Sequence, residues 1–306
     1  MVNRVVGNKN SGIKFYSLIL LNHVVMIETP LNQIKKLLSN EIPSELICCL
    51  PDKWEKIGDV LTIKLNESLK IYQEKIGEKY AEILHCKTVL NDVGGISGTY
   101  REPKVGILYG SKNTETIHKE NGIRYKLDLQ KIMFSSGNMD ERKRMANISN
   151  KNETVVDLFA GIGYFTIPMA VYSKPKKIFS CEINPIAYEY LCKNIVLNHV
   201  TSVVKPLLGD NRTTAPKNIA DRVILGYIND TYRFLPTAID CLKNNTGIIH
   251  YHDVFSNELI PEKPLKIVQE IAEKYNRNVK LLKYKHVKSY APGVSHIVFD
   301  VKIGER

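Results

Sequence analysis

The feature that most constrains this chain is a regular alternation of strand-like and helix-like apolar patterns from Thr154 to the C-terminus. Five strand patterns are each followed by a helical pattern or a short irregular stretch, and two further strand patterns close the chain. The seven predicted strands are VVDLF, KKIFSCEI, VVKPLLGD, DRVILGYI, TGIIHYHDV, Val279–Val287 and His296–Ile303. Such alternation predicts right-handed βαβ units, and therefore a parallel sheet with helices packed on its faces.

The connection between the last two predicted strands is a short turn that contains Pro292 and Gly293. A turn of this length cannot return the chain to the other end of the sheet, so the last strand must run antiparallel. A seven-stranded sheet with one antiparallel strand at its end is the arrangement of class I S-adenosylmethionine-dependent transferases, and nicotinamide-type Rossmann domains usually lack that closing hairpin. We therefore predict an α/β fold of this Rossmann-like class over residues 129–306, with 129–153 as a connecting segment.

A glycine-containing turn, AGIGYF, follows the first of these strands and precedes a helix. Gly161 and Gly163 allow the backbone to turn sharply and to approach a ligand closely. The helix start just beyond them offers free N–H groups. The turn lacks the third glycine of the dinucleotide fingerprint, so it indicates a nucleotide-like cofactor without specifying which one.

Polar residues stand at the ends of the first three strands of this sheet, where ligands of such sheets bind. We expect Glu182, about twenty residues beyond the glycines, to accept hydrogen bonds from two ribose hydroxyls. Asp210 and Asn211 are expected to read an adenine edge, and Asp157 to lie near a methionine amine. The alternative for Asp157 and Asp210 is that they cap a helix or a turn.

The residues before this sheet predict a small α+β domain over 46–128, and a hairpin is indicated by Asn121-Gly122. Residues 1–45 form an extension of uncertain structure, with a possible strand at Ser17–Ile27 and a helix near Leu31–Leu38. A charged helix at Asn138–Asn147 is expected to bridge into the second half.

The formal net charge of +11 favours a polyanionic partner, although a Lys-rich proteome would give the same surplus. The six cysteines show no C-x-x-C pair and no zinc-ligand spacing, so we expect reduced thiols in the cytoplasm and no metal. No apolar run of membrane-spanning length and no signal peptide is recognisable, so no membrane association is expected.

Several long motifs resemble those of one family, from about Cys49 to the C-terminus. They are VVDLFAGIGYFTIP, CEINP, KSYAP, GGISGTYREP, TETIHKENG and MFSSGN. The family joins the tRNA (guanine-37 N1)-methyltransferases with their sister group, the wybutosine-synthesising aminocarboxypropyltransferases. Within the sister group the chain resembles the archaeal enzymes more than the longer eukaryotic ones.

Two segments separate the sister groups. The methyltransferases that resemble this chain carry Phe-Ser-Pro-Arg where it reads Phe134-Ser135-Ser136-Gly137, and Asn-Leu-Pro where it reads Gly226-Tyr227-Ile228. Both departures match the group that moves the 3-amino-3-carboxypropyl group of S-adenosylmethionine onto a tricyclic guanosine-derived base at position 37 of tRNA(Phe). This reaction releases 5′-methylthioadenosine. Methyl transfer to guanine 37 and a non-catalytic, cofactor-binding RNA scaffold are the alternatives.

The resemblance implies that Ser135, Arg142 and Gly226 also contact the cofactor. Arg142 would meet the methionine carboxylate, whereas its spacing alone favours a solvated charge on the helix. Gly226 would open the corner after the fourth strand. No general base is evident; His252 and Asp253, at the end of the fifth strand, are candidates for a proton step or for structural hydrogen bonds.

A basic segment precedes the last strand. Between Lys274 and Lys288 the chain carries six Lys or Arg, two Tyr and no acidic residue, a mixture that suits phosphates and unstacked bases. The predicted RNA contacts are Arg101, Lys283, Lys285 and Lys288. A solvated strand face is the alternative for the lysines, and a purely structural turn for Arg101. The expected partner is the anticodon loop of tRNA(Phe), bound by a monomer.

Overall fold

The computed structural model describes residues 17–20, 23–26 and 28–306. Its first elements are β1 (Ser17–Leu20) and β2 (His23–Met26), which pair antiparallel. The prediction of one strand over Ser17–Ile27 is therefore wrong, because folding back lets the backbone groups of the segment pair with each other. Leu21, Asn22 and Ile27 lie outside the described residues. The helix α1 (Pro30–Leu38) follows, one residue earlier than predicted, and the Thr29 side chain caps it.

The next elements form a small mixed sheet with helices on one face. They are β3 (Trp54–Ile57), β4 (Val60–Ile63), α2 (Gln73–Leu84), β5 (Thr88–Ser97) and β6 (Glu102–Gly110). The strands lie in the order β3-β4-β5-β6, and only β4 and β5 run parallel. The helices α1 and α2 cover this sheet because each presents an apolar stripe, with Ile34, Leu38, Ile76 and Tyr80 fully buried.

A hairpin of β7 (Glu115–Glu120) and β8 (Ile123–Asp128) connects the two halves. Its turn residues Asn121 and Gly122 both have positive φ, 47° and 77°, which confirms the predicted hairpin turn. The hairpin contacts both halves: Thr116 bonds to Asp59, and the Lys126 N–H donates to Asn194. The boundary at residue 128 stays a prediction.

The second half is a seven-stranded sheet with helices on both faces. Its elements are α3 (Met139–Met145), β9 (Thr154–Asp157), α4 (Thr166–Tyr172), β10 (Lys177–Glu182), α5 (Pro185–Leu197), β11 (Val204–Leu208), α6 (Asn211–Thr214), β12 (Arg222–Leu225), α7 (Leu235–Cys241), β13 (Gly247–Ser256), α8 (Glu262–Glu273), β14 (Arg277–Ala291) and β15 (Val294–Glu305). The predicted α/β fold is confirmed, and β15 runs antiparallel to both of its neighbours, β13 and β14.

The strand order β11-β10-β9-β12-β13-β15-β14 reverses between β9 and β12. Two apolar clusters, one on each face of the sheet, bury strand residues such as Val155 and Val156 completely. At such a reversal the loops leave neighbouring strands toward opposite faces, and a crevice opens at the carboxyl ends of the strands. In the described part of the chain, no helix is long and apolar enough to cross a membrane.

Candidate active site

A cavity of about 530 Å³ lies at this reversal point. Its volume falls within the range of roughly 300–1,000 Å³ that small-molecule sites occupy. Seven of the nine predicted cofactor contacts line it, namely Ser135, Arg142, Gly161, Glu182, Asp210, Asn211 and Gly226. The other two, Asp157 and Gly163, do not line it.

The turn after β9 needs both of its glycines, for different reasons. Gly161 has φ +57° and Gly163 φ +98°, which side chains rarely adopt. A Cβ on Gly161 would lie 2.5 Å from the Tyr164 ring in the cavity wall, whereas one on Gly163 would lie 2.4 Å from Ile167 of α4. Gly161 therefore shapes the cavity, and Gly163 allows the turn to pack against the helix.

Glu182 ends β10 with its carboxylate held by two backbone donors. Its Oε2 accepts from the Gly161 N–H and its Oε1 from the Asn184 N–H, both at 2.7 Å. Burial raises the pKa of this carboxyl, although the backbone hydrogen bonds oppose that shift. Each oxygen has a further lone pair, so the fixed carboxylate can still accept hydrogen bonds from a ligand.

The segment after β11 combines a cap with a buried amide. Asp210 caps α6 by accepting from the Arg212 N–H at 2.9 Å, and the Arg212 guanidinium lowers the pKa of its carboxyl. Asp210 thus has the cap role that the sequence left open, while it also lines the cavity. The Asn211 side chain donates to Leu158 O at 2.8 Å, and its Oδ1 is buried with no hydrogen-bond partner within residues 28–306. A buried acceptor of this kind fits a ligand N–H donor.

Asp157 differs from its predicted role because it lies inside the protein. It is completely buried, accepts from the Phe159 N–H at 3.2 Å and from the Thr166 hydroxyl at 2.8 Å, and does not line the cavity. Burial raises its pKa to about 6. The alternative reading is therefore the better one: Asp157 caps the turn that carries Gly161.

The connecting segment forms one side of the cavity through Ser135 and Arg142. Arg142 is almost fully buried, and its guanidinium makes a bidentate pair with Glu120, with N–O distances of 2.7 and 2.6 Å. It also donates to Ser135 O at 2.8 Å, so two of its five N–H groups have no partner in the part of the chain that the structure describes. Spacing alone favoured a solvated charge here, and the structure shows instead a buried, paired guanidinium.

The corner after β12 is lined by Gly226 and aromatic rings. A Cβ on Gly226 would lie 2.9 Å from the Phe165 ring. Tyr227 stacks on Phe159, with ring centroids 5.0 Å apart, and Phe234 meets Phe159 edge-on at 4.9 Å. Because Gly226 has no side chain, the Phe165 ring packs directly against the backbone at this corner of the cavity.

The two catalytic candidates have different environments. Asp253 does not line the cavity; it accepts from the backbone N–H groups of Asn229 and Thr231 and so holds the loop after β12. His252 lines the cavity, and its Nδ1 lies 3.2 Å from Nε2 of His296, a cavity residue that the sequence did not indicate. The geometry therefore gives Asp253 a structural role and leaves His252 beside the reaction space.

The four predicted RNA contacts do not form one open surface. Arg101 lines the cavity mouth from the β5–β6 hairpin, and Lys288 lines the cavity with its Nζ 2.7 Å from Ser135 Oγ. Lys283 and Lys285 share a strand face as predicted, but the Lys285 amine lies 3.3 Å from buried Glu141. Lys283 is the exposed member of the four. Lys288 is thus a cavity residue, because the bulge after His286 turns it toward the connecting segment.

The seven-stranded sheet with its reversed last strand and the cavity at its switch point define a class I S-adenosylmethionine-dependent transferase fold. A family model described as "TRM5/TYW2 methyltransferase domain" matches residues 116–282, and a second, "TYW2 N-terminal domain", matches residues 34–114. The chain belongs to the TRM5/TYW2 family, which confirms the resemblance.

Individual relatives agree with this assignment. The tRNA(Phe) (4-demethylwyosine(37)-C(7)) aminocarboxypropyltransferase of Methanocaldococcus jannaschii is 49% identical over 252 residues, which cover 82% of this chain and 97% of that protein. The structure of P. horikoshii TYW2 in complex with MeSAdo is 41% identical with a TM-score of 0.81, over 90% of this chain and 100% of that one. That of M. jannaschii TYW2 in complex with AdoMet is 45% identical with a TM-score of 0.67, over 83% and 100%.

Proposed function

We propose that this protein transfers the 3-amino-3-carboxypropyl group of S-adenosylmethionine to the wybutosine precursor at position 37 of tRNA(Phe). One observation carries the proposal: Gly226, Tyr227 and Ile228, which stand where the methyltransferases carry Asn-Leu-Pro, all line the cavity. Ser135, which directly precedes the other departing residues, Ser136 and Gly137, lines it as well. Methyl and aminocarboxypropyl transfer use the same donor. The wall that seats the methionine moiety therefore decides which carbon is presented to the acceptor.

The relatives support the same reaction. The M. jannaschii protein is named for aminocarboxypropyl transfer and is matched over 97% of its length. Two solved TYW2 structures hold AdoMet and MeSAdo, which are the donor and the thioether product of that reaction. The match to a TYW2 N-terminal domain over residues 34–114 favours this reaction over methyl transfer to guanine 37.

The nucleoside part of the donor fits the polar groups of the first three strand ends. The Glu182 carboxylate is fixed by two backbone N–H groups and keeps lone pairs for the two ribose hydroxyls. Asn211 Oδ1 is buried without a partner and would accept from the adenine amino group. Gly161 lets the backbone approach the sugar, since its φ of +57° and the nearby Tyr164 ring exclude a side chain.

Positive charge surrounds the side of the cavity formed by the connecting segment. Arg101, Arg142 and Lys288 all line this side of the cavity. Burial lowers the pKa of Lys288, the Glu55 carboxylate opposes that shift, and the charges of Arg101 and Arg142 add to it. Glu120 neutralises Arg142, whereas the Lys288 amine donates to the Ser135 hydroxyl and forms no salt bridge within residues 28–306. This side of the cavity therefore suits the carboxylate of the methionine moiety, which is part of the transferred group.

The donor supplies a sulfonium whose γ-carbon is already activated. When the acceptor ring carbon attacks, a C–C bond forms, the C–S bond breaks with its electron pair on sulfur, and 5′-methylthioadenosine leaves as a neutral thioether. Because this leaving group needs no proton, the residues of the cavity mainly bind, orient and exclude water.

The charge distribution supports RNA binding near the cavity. Residues 129–306 carry 25 Lys and Arg against 17 Asp and Glu, whereas residues 28–128 carry 15 of each. The basic surplus thus belongs mostly to the half that forms the sheet and its cavity, where phosphate contacts would bring an anticodon loop to the donor. We further propose that the protein acts as a monomer in the cytoplasm.

The reaction is tested with S-adenosylmethionine labelled either in the methyl group or in the carboxypropyl chain, and tRNA(Phe) that carries the tricyclic precursor. We expect carboxypropyl label on the tRNA, an added aminocarboxypropyl mass on the base, and no methyl label. Methyl label on tRNA with unmodified guanine 37 would establish methyl transfer instead. No label on either tRNA, with donor binding intact, would favour the non-catalytic scaffold.

A further inference from the structure

Two buried histidines lie side by side in the cavity wall, His252 on β13 and His296 on β15. Only 1% and 4% of their surfaces are exposed, and their ring centroids lie 5.4 Å apart. The Phe165 ring stacks on His252 with a centroid distance of 5.2 Å, which fixes the plane of that imidazole. None of the donor contacts proposed above uses either ring.

The hydrogen bonding of the pair is incomplete in a specific way. His252 Nδ1 lies 3.2 Å from His296 Nε2, and the two outer nitrogens, His252 Nε2 and His296 Nδ1, are buried without a hydrogen-bond partner among the described residues. A neutral imidazole has one N–H and one bare nitrogen. One outer nitrogen of a neutral pair must therefore carry a proton, and the other must be a free base.

Glu141 decides which outer nitrogen is the base. Its Oε1 lies 3.9 Å from His252 Nε2, and the carboxylate is completely buried, so it favours a proton on that nitrogen. His252 Nδ1 then accepts from the Nε2–H of His296, and His296 Nδ1 is left as the free base.

We propose that His296 accepts the proton that the acceptor base loses during aminocarboxypropyl transfer, and that His252 positions it. This inference rests on the proposed function. After the acceptor ring carbon has attacked the γ-carbon, it still carries its hydrogen and the ring is cationic. His296 Nδ1 takes that hydrogen as a proton, the C–H electron pair returns to the ring, and the aromatic system is restored.

The electrostatics of the pair suit this step. Burial lowers the pKa of each ring to about 3, so both are neutral and able to accept a proton at neutral pH. A weak base suffices, because a ring that regains aromaticity on losing the proton is a strong acid. The negative charge of Glu141 opposes the lowering of the His296 pKa, and it therefore favours the imidazolium that forms.

The test is a single-turnover measurement with acceptor tRNA that carries deuterium at the attacked ring carbon. The wild-type protein should show no primary isotope effect, because proton loss is fast once the C–C bond has formed. In His296→Gln the rate should fall by roughly 10²- to 10⁴-fold, and a normal primary isotope effect should appear. His250→Gln is the matched control, because both ring nitrogens of His250 are bonded, to Arg222 and Asp300, and the residue does not line the cavity.

We expect the control to lose thermal stability without gaining an isotope effect. Calorimetric binding of 5′-methylthioadenosine verifies that each variant is folded, and if His296→Gln does not fold, His296→Asn carries the same expectation. A folded variant that keeps the wild-type rate, or that slows without an isotope effect, would overturn the role of His296. If the wild-type protein itself transfers no aminocarboxypropyl group, the proposed function fails instead.

Discussion

Asp157 allows a sharp test of whether the strand-end carboxylate serves the fold or the donor. Its carboxyl is completely buried, and burial raises its pKa from 3.8 to about 6. At about 1.4 kcal/mol for each pKa unit, the shift corresponds to about 3 kcal/mol between the protonated and ionised states. The folded protein holds this proton up to a higher pH than the unfolded chain does. Stability therefore falls as the pH rises from about 4 to about 6, and stays lower above that window.

Asp157→Asn removes the titration and keeps the hydrogen bonds. The amide oxygen can accept from the Phe159 N–H, and the amide nitrogen can donate to Thr166, whose hydroxyl lies 2.9 Å from Ser180 Oγ and can donate there. The variant should therefore lack the loss between pH 4 and pH 6. The free energy of unfolding of the variant minus that of the wild type should therefore rise by up to about 3 kcal/mol as the pH increases from acid to neutral.

Urea unfolding of both proteins at a series of pH values measures this difference. Asp210→Asn is a control whose stability should change with pH in the opposite direction, because Arg212 lowers the pKa of the Asp210 carboxyl. Removing the Asp210 charge should cost stability at neutral pH and nothing in strong acid. Parallel pH profiles for Asp157→Asn and the wild type would refute the burial argument. A large loss of affinity for S-adenosylmethionine without a comparable loss for 5′-methylthioadenosine, which lacks the amine, would restore the predicted contact with the methionine amine.

Three further changes test other parts of the site. Glu182→Gln should weaken donor binding by roughly tenfold to a hundredfold in calorimetry, since it removes a charged acceptor worth about 1.5–3 kcal/mol, whereas Glu189→Gln on the exposed face of α5 should not. Glu120→Gln should lower the free energy of unfolding by about 3–5 kcal/mol, because it leaves the buried Arg142 guanidinium without its counter-charge. A loss below about 1 kcal/mol, which is the range of exposed ion pairs, would contradict this expectation. Lys283→Ala should reduce the salt dependence of tRNA affinity by about one charge, and an unchanged slope would remove Lys283 from the RNA surface.

The fold was predictable because its signals are local and periodic. Alternating patterns define the strands, and the short turn at Pro292 and Gly293 forces the last strand to run antiparallel. The turn at Asn121 and Gly122 requires positive φ at both positions, which these residue types tolerate. The pairing of β1 with β2 was missed, since a run of apolar residues does not show where the chain folds back.

Residue patterns alone predicted the site at the strand ends and at the Gly161 turn, whereas Ser135 and Arg142 followed only from the family resemblance. Glu182 and Asn211 line the cavity because topology alone brings strand ends together. Asp157 stands at such an end as well, but its side chain turns inward, and no sequence pattern distinguishes these two orientations. His296 was missed because it becomes a neighbour of His252 only through the pairing of β13 with β15. The two residues are diagonal in that pair, since His252 lies opposite Val298 and His296 lies opposite Val254. A polar residue on the diagonal from an already suspected one, across a predicted antiparallel pair, is the signal that could have found it.

The shape of the cavity depends on the small domain and the β7–β8 hairpin as well as on the sheet, because all three hold the connecting segment. The Ser136 N–H donates to Glu55 of the small domain at 2.9 Å, and Arg142 is held by Glu120 of the hairpin. On its other side the segment is bonded to Lys288 of the last hairpin of the sheet, through the Ser135 hydroxyl. A segment fixed from both sides presents its wall to the donor in one position, and orientation of the donor is what selects the carbon that is attacked. Variants at the small-domain contacts should therefore change the ratio of aminocarboxypropyl transfer to methyl transfer, although these contacts are distant in sequence from the glycine turn.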